Sequence, residues 1–429
     1  MAARVAFLLI AAALLALGAA CGGKESQPFR IGVLTDCYGG FSGEHEPMIA
    51  SVELPLLERG AKLRGPSPTD GIGPINVAGR PIELIEGCVS GNDQVIPEAR
   101  RLVEAEGAAL IVGPVDPQQG MVLREYARRR PETTFMIQPS DAPEVTLTKP
   151  APNVFRFVPD AAQGAAGLGS YAYRKLGWRT AVMIGDDFPY GWGNVSGFVA
   201  EFCALGGRVL EPHWIPYGTD PASVVPQIPA SADGVYLGTA LAPTPGFLRR
   251  YSEVHPDLGR RLVVNAVQLA YPHVADLSKG VVFGGPLPSA PTPAVANYVA
   301  SFKRAFPRLP AYTALDPLAL SYRDAVAAAL GALERADGDT GRSFRAALAG
   351  FVLDSPMGPI RLDRNRQAVV NAYLSRVGSD AKGHPRITTL RVVPGVEETF
   401  GGYFAPDSPP PTRTQPACRK TTPPRWAAR

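Results

Sequence analysis

The stretch Val95-Ile96-Pro97-Glu98-Ala99-Arg100-Arg101-Leu102-Val103-Glu104-Ala105-Glu106-Gly107-Ala108-Ala109-Leu110-Ile111-Val112 decides the fold class. Val95, Ile96, Ala99, Leu102 and Val103 fall on one helical face, and Gly107 can end that helix. Leu110–Val112 is a short unbroken apolar run, the pattern of a strand buried on both faces. Outward from it, Ile31–Leu34, Ile82–Ile85 and Phe135–Ile137 read as further buried strands. This βαβ rhythm implies a parallel sheet covered by helices. A second series follows: a helical stretch over 164–176, a strand at Thr180–Ile184, a helix at Gly193–Leu205 and a strand at Gly234–Leu237. A helix near Phe247–Val254, a strand at Leu262–Asn265 and a long amphipathic helix over Leu315–Arg335 complete it. After residue 404, Ser408 and Pro409–Pro411 predict a disordered or extended tail over 405–429 rather than a domain.

The first 21 residues read as an export leader. Arg4 gives the positive start, Val5–Leu17 the apolar core, and Gly18, Ala19 and Ala20 the small-residue site before Cys21. The run is short and meets Gly22, Gly23 and Lys24 at once, so a membrane-spanning helix is the weaker reading. The segment resembles a bacterial lipoprotein signal in which Cys21 becomes the lipidated first residue, although Leu17 stands four residues before it, with Gly18 at the usual leucine position. Ordinary secretion is the alternative. Either way, the chain from Gly22 onward is expected outside the cytoplasm.

An exported part of about 400 residues exceeds one ordinary core and predicts two domains of roughly 150 to 200 residues each. With 45% hydrophobic and 19% charged residues, both can bury a core. The net charge of +4 is small and the arginines are scattered. Arg128–Arg130 reads as a solvated helix end, so nucleic-acid binding gains no support. Beyond Cys21 stand Cys37, Cys88, Cys203 and Cys418, an even set suited to an oxidising compartment, with three pairings open.

Catalysis ranks below binding. His45 and Glu46 begin an HExxH, but Ile49 occupies the second histidine position, and GxSxG, GxxxxGK and GxGxxG are all missing from the places where they would work. The five histidines show no metal-ligand spacing, and no cofactor is expected. Asp186 and Asp187 are adjacent carboxylates whose side chains diverge, a poor catalytic pair.

Arg30-Ile31-Gly32-Val33-Leu34, then Gly79-Arg80-Pro81-Ile82-Glu83-Leu84, then Ile111-Val112-Gly113-Pro114 open the mature chain. They are followed by Pro139–Glu144, Phe155-Arg156-Phe157, Gly185–Gly191 and Met357–Asp363. In order and spacing these motifs, over about residues 28 to 398, are similar to the extracellular solute-binding proteins of branched-chain amino-acid type that serve ATP-driven importers. The resemblance implies an α/β fold of the type I periplasmic-binding kind: two Rossmann-like lobes with parallel sheets, a three-crossover hinge and a ligand cleft between them. The crossovers are expected at Phe155–Pro159, Gly284–Pro288 and Ser355–Pro359, where Gly and Pro interrupt periodic segments. The first lobe then holds 28–155 with 287–355, and the second 156–286 with 356–400.

In open parallel sheets the ligand crevice lies outside the carboxyl ends of the strands. The loops Cys37–Ser42, Asp116–Gly120, Gln138–Asp141, Phe188–Trp192, Thr239–Leu241 and Gln268–Tyr271 are therefore the predicted cleft, and exposed N–H groups at helix starts there favour an α-carboxylate. Carried over from the resemblance, Tyr190 reaches across the cleft, Ser140 and Asp141 hold carboxylate and ammonium, and Gln118 and Gln119 stand where relatives bind the carboxylate. Gln138, Gln268 and Tyr271 join them by position, with Phe41 and Trp192 as apolar walls. Simpler readings stand beside these: Asp141 as an N-cap for a helix beginning near Pro143, Tyr190 as a turn residue, Phe41 and Trp192 as core. The acidic residue that amino-acid binders of the family present after the Leu262–Asn265 strand is not evident, and Asp141 is the substitute for the ammonium.

In the strand order the resemblance implies, Cys37 and Cys88 end neighbouring strands, which makes their disulfide reasonable, and Cys203 then tethers Cys418. The function implied is a monomeric, lipid-anchored binding protein that delivers a small, amino-acid-like solute to an ABC permease and its ATPase. The alternative is a ligand sensor of the same fold signalling to a membrane receptor.

Overall fold

The computed structural model describes residues 27–240, 244–265, 272–288 and 292–428; the leader with Cys21, and the predicted site residues Gln268 and Tyr271, lie outside them. Strands β1 (Phe29–Thr35), β2 (Asn76–Val77), β3 (Arg80–Cys88), β4 (Leu110–Val112), β5 (Thr134–Met136) and β6 (Val154–Phe155) form one sheet in the order β2-β3-β1-β4-β5-β6. All pair in parallel except β2, which is antiparallel to β3. Alternate residues explain why the apolar runs are unbroken. Ile31, Val33 and Val112 face Met48 and Val52 of helix His45–Leu57 and Leu320 of helix Pro317–Arg335, whereas Leu34 and Ile111 face Leu102 and Leu123. Both faces are covered, as a parallel sheet requires.

The second sheet repeats the plan. It contains β7 (Thr180–Asp186), β8 (Arg208–Val209), β9 (His213–Ile215), β10 (Gly234–Gly238), β11 (Leu262–Asn265) and β12 (Val282–Gly285), then β13 (Leu353–Ser355), β14 (Gly358–Leu362), β15 (Ala368–Ser379) and β16 (Pro385–Val396). The order is β13-β14-β15-β12-β11-β10-β7-β8, with β9 beside β7 and β16 beside β15. Val182, Ile184, Val235 and Leu237 pack on Phe247 and Tyr251, while Ala181, Met183 and Tyr236 pack on Phe198 and Phe202. Helix Pro293–Ala305 and helix Pro317–Arg335 follow β12 in sequence but pack against helix His45–Leu57 of the first sheet, so the chain passes between the two sheets more than once.

Three features differ from the sequence reading. The helix after β7 runs over Pro189–Phe202, not from Gly193, because Pro189 takes its first position, where a missing N–H costs nothing. The long hairpin β15–β16 was not read from sequence at all. The tail is extended but fixed to the second sheet's helices. Cys418 is bonded to Cys203 (Cα–Cα 5.2 Å), and Trp426 is buried, donating its indole N–H to Glu201 Oε1 at 2.6 Å. A second disulfide joins Cys37 and Cys88 at the ends of β1 and β3 (Cα–Cα 5.4 Å). Among the described residues no helix is long and apolar enough to cross a membrane.

Candidate functional site

In each sheet the connections leave one central strand in opposite directions: between β1 and β4 in the first, between β7 and β10 in the second. Such switch points open crevices at strand carboxyl ends. Here the two crevices share a cavity of about 440 Å³, within the range of small-molecule sites. Phe41, Pro117 and Asp141 line it from loops after β1, β4 and β5; Phe188, Tyr190 and Ala240 line it from segments after β7 and β10. Val158–Asp160, between β6 and the second sheet, form part of the wall.

Local hydrogen bonding shapes these loops. Asp36, at the end of β1, accepts the backbone N–H groups of Tyr38 (3.1 Å), Gly39 and Phe41 (2.9 Å), curling the loop that presents Phe41. Asp116 caps helix Pro117–Ala127 by accepting N–H of Gln118 (2.7 Å) and Gln119 (3.1 Å). Asp160 accepts N–H of Gln163 (2.8 Å), Asp186 accepts N–H of Ala240 (2.6 Å), and Asp316 accepts N–H of Leu318 (2.8 Å). Gly191 lets the helix start press on β7: a Cβ there would stand 2.1 Å from the Asp186 carbonyl oxygen.

Asp141 is held by its neighbours' backbone. The buried Arg156 donates to the carbonyls of Ser140 (2.9 Å) and Ala142 (2.8 Å) on either side of it, to Thr146 Oγ1 (2.8 Å) and to Gln367 Oε1. The Asp141 carbonyl accepts Ala161 N–H at 3.0 Å, tying the loop to the second sheet's first helix. Burial pushes the Asp141 carboxyl up to about 8, with Asp160 and Asp116 adding and Arg156 opposing. Burial likewise raises Glu44 to about 7, with Asp316 adding. It raises Asp160 and Asp186 to about 6, against Arg156 for the first and the Ala240 N–H for the second.

The predicted residues divide into two groups. Phe41, Asp141 and Tyr190 line the cavity. Ser140, Gln138, Gln118, Gln119 and Trp192 do not. Ser140 is fully buried beneath Gly120, its Oγ directed to the Pro117 carbonyl. Gln138 ties the Ser321 carbonyl to Phe157 N–H. Gln118 is exposed and accepts from Asn92, Gln119 is buried within its helix, and Trp192 donates to Asp187. The N-cap reading of Asp141 also gives way, since the short helix at Pro143 is preceded by Ala142 and has no side-chain cap.

Several wall residues escaped the sequence reading. Tyr217, on the loop after β9, stands with its ring 5.2 Å from Phe41 and 5.4 Å from Phe188. Glu44, Asn194 and Asp160 also line the cavity. Asn194 could have been suspected, lying four residues after Tyr190 on the same helix face; Tyr217 carries no periodic signal.

The family model for periplasmic binding proteins matches residues 28–383. Among solved structures, an ABC transporter substrate-binding protein from Sphaerobacter thermophilus superposes with a TM-score of 0.74 at 22% identity, covering 86% of this chain and 99% of that one. A solute binding protein from R. palustris, in complex with benzoate, gives 0.69 at 22% identity over 86% and 97% of the two chains. A leucine binding protein from Thermotoga maritima gives 0.65 at 20% identity over 85% and 98%. No curated protein matches by sequence. With most of its length matched and both sheets in place, this chain belongs to the periplasmic binding protein family.

Proposed function

We propose that the protein is an extracytoplasmic, lipid-anchored solute-binding component of an ABC importer, acting as a monomer that traps a small polar solute and hands it to a membrane permease and its ATPase. The observation that supports this is the cavity itself, which draws its wall from both sheets at their facing switch points. A wall shared in this way is completed only when both halves approach, so ligand binding favours the closed arrangement. The moving parts are residues 28–155 with 287–355, and 156–286 with 356–400, turning at 155–159, 284–288 and 355–359. Cys21 is the acylated residue.

The test is a thermal-shift screen of the mature protein against amines, amides, amino acids and small carboxylates. A ligand at about a hundred times its Kd stabilises the fold by roughly 2.7 kcal/mol. The same solute is then expected to lose uptake when the gene is deleted. A confirmed ligand whose uptake is unchanged on deletion would count against import.

A further inference from the structure

We propose that the solute is a small organic cation without a carboxylate, an amine, guanidine or quaternary ammonium, seated with its charge among Asp141, Asp160 and Glu44 and its carbon skeleton against Phe41, Tyr190 and Tyr217. This rests on the solute-binding reading above and narrows the amino-acid-like class that the resemblance suggests.

First, most of the donors that would cradle a carboxylate are already taken. Strand ends and helix starts bind anions through backbone N–H groups, yet five aspartates of this chain occupy them. Asp36 holds three on the first loop, Asp116 two, and Asp160, Asp186 and Asp316 one each at the helix starts or strand ends beside them. Pro117 and Pro317 also remove one N–H each from the helix starts that Asp116 and Asp316 cap, and Pro189 removes one from the start of helix Pro189–Phe202, which has no side-chain cap. At these five sites the cleft therefore presents acceptors where an anion site presents donors.

Second, two carboxyls on the wall, Asp160 and Asp141, each have an oxygen without a partner. Asp160 is 1% exposed, lines the cavity, and its Oδ2 has no hydrogen-bond donor within the protein; Asp141 Oδ1, on the same wall, has none either. Buried carboxyl oxygens are ordinarily paired, and ammonium or guanidinium N–H groups supply what is missing. The Asn194 side-chain N–H₂, buried and unpartnered on the wall, suits a hydroxyl, ether or carbonyl elsewhere on the solute.

Third, no Lys or Arg lines the cavity among the described residues. Residues 241–243, 266–271 and 289–291 carry no Lys, Arg or His in sequence. An entering carboxylate would lose its hydration beside carboxyls on a wall that carries no cation, since Arg156 lies behind it and is bonded to the Ser140 and Ala142 carbonyls, and the penalty is large. A cation meets both the carboxyls and the faces of aromatic rings, which attract positive charge.

The experiment is titration calorimetry on mature protein that has been unfolded and refolded to strip bound solute. The probes are putrescine, agmatine, tyramine and choline against leucine, benzoate and 4-hydroxybenzoate. At least one amine is expected to bind and the three carboxylates to give no heat. Asp141→Asn is expected to weaken that amine by about tenfold or more and Glu44→Gln by several-fold, by loss of a charge partner, with the melting temperature of the solute-free protein held. Binding of leucine or benzoate without any amine would overturn the cation proposal and leave solute binding standing. Silence from all seven probes in well-folded protein would count against both.

Discussion

Phe41 and Tyr217 meet across the cleft, one carried by the loop leaving β1 and the other by the loop after β9, with ring centroids 5.2 Å apart. The approach is close enough that a Cβ on Gly40 would come within 3.1 Å of the Tyr217 ring. An aromatic pair contributes about 0.5–1.5 kcal/mol beyond its buried area. That is comparable with the few kcal/mol separating conformers of a hinged protein, so this contact bears directly on whether the two sheets stay together.

Tyr217→Ala is therefore expected to open the solute-free protein and to weaken solute binding about tenfold. Solution scattering checks the first part through a larger radius of gyration, and calorimetry the second. An unchanged radius together with unchanged affinity would show that the ring contact has no part in closure.

How much of this was legible in the sequence depends on whether the signal was local. The strands β4 and β11 match their apolar runs residue for residue, because burial on both faces leaves no polar interruption. β15 and β16 were missed because the pattern is irregular: over Ile387–Val393 the more buried face carries Thr389 and Arg391 between Ile387 and Val393, while Leu390 and Val392 are exposed. At the site, Tyr190 and Asp141 were visible through motif spacing, whereas Tyr217 and Glu44 reach the cavity only by tertiary approach. Ser140 and Gln138 were misplaced for a related reason: their loop is right, but alternate residues of a loop face opposite ways, and theirs face the core.

The tail gives a second prediction. Glu201 is fully buried and accepts N–H groups from Gly167 (2.6 Å), Ser170 (2.8 Å) and the Trp426 indole, while Cys418 pins the same segment to Cys203. Non-reducing peptide mapping should recover both the Cys37–Cys88 and the Cys203–Cys418 links, each contributing about 2–4 kcal/mol. Cys418→Ser is expected to lower Tm and to let a protease cut within 405–428, with a shift in tryptophan fluorescence. A tail equally resistant without the disulfide would show that Trp426 alone holds it.

Glu53 predicts a pH dependence of stability. It is 1% exposed on helix His45–Leu57, and its Oε2 has no partner. Burial first, then Glu86 and Asp70, push its carboxyl up to about 8 from 4.5. The folded protein thus keeps a proton that the unfolded chain has released between those values, so stability is full below the unfolded pKa and is lost as pH rises through the folded one. Glu53→Gln should gain about 1 kcal/mol or more over the native protein at pH 8.5 and little at pH 5. Parallel thermal melts at the two values decide it, and an equal effect at both would remove the ionisation argument.

Anchoring is tested at Cys21. One acyl chain binds membranes only marginally, and stable attachment needs more than one. The native protein should fractionate with membranes and Cys21→Ser should appear in the soluble fraction or accumulate with its leader uncut. Native protein recovered free, with an unmodified Cys21, would point to ordinary secretion.

The last prediction couples the cation to a proton. Asp141 is raised to about 8 chiefly by burial, with Asp160 and Asp116 adding to the shift and Arg156 opposing it; Tyr190, also facing it, is driven well above its ordinary value and stays neutral. In the empty cleft at pH 6 the Asp141 carboxyl is therefore protonated, and a cation must displace that proton to gain a charged partner. Affinity should rise as pH increases from 6, by up to about tenfold per unit for the Asp141 proton alone, and level off above 8. Glu44 and Asp160, raised to about 7 and 6, contribute to the lower part of the same rise. Calorimetric enthalpies at pH 7 should differ between buffers of different ionisation enthalpy, reporting proton release, and should converge at pH 9. Asp141→Asn should flatten the upper part of the profile while lowering affinity throughout. A profile that falls with pH would mean that the protonated carboxyl, as a donor, is the form the solute uses, and would reverse the charge assigned to it.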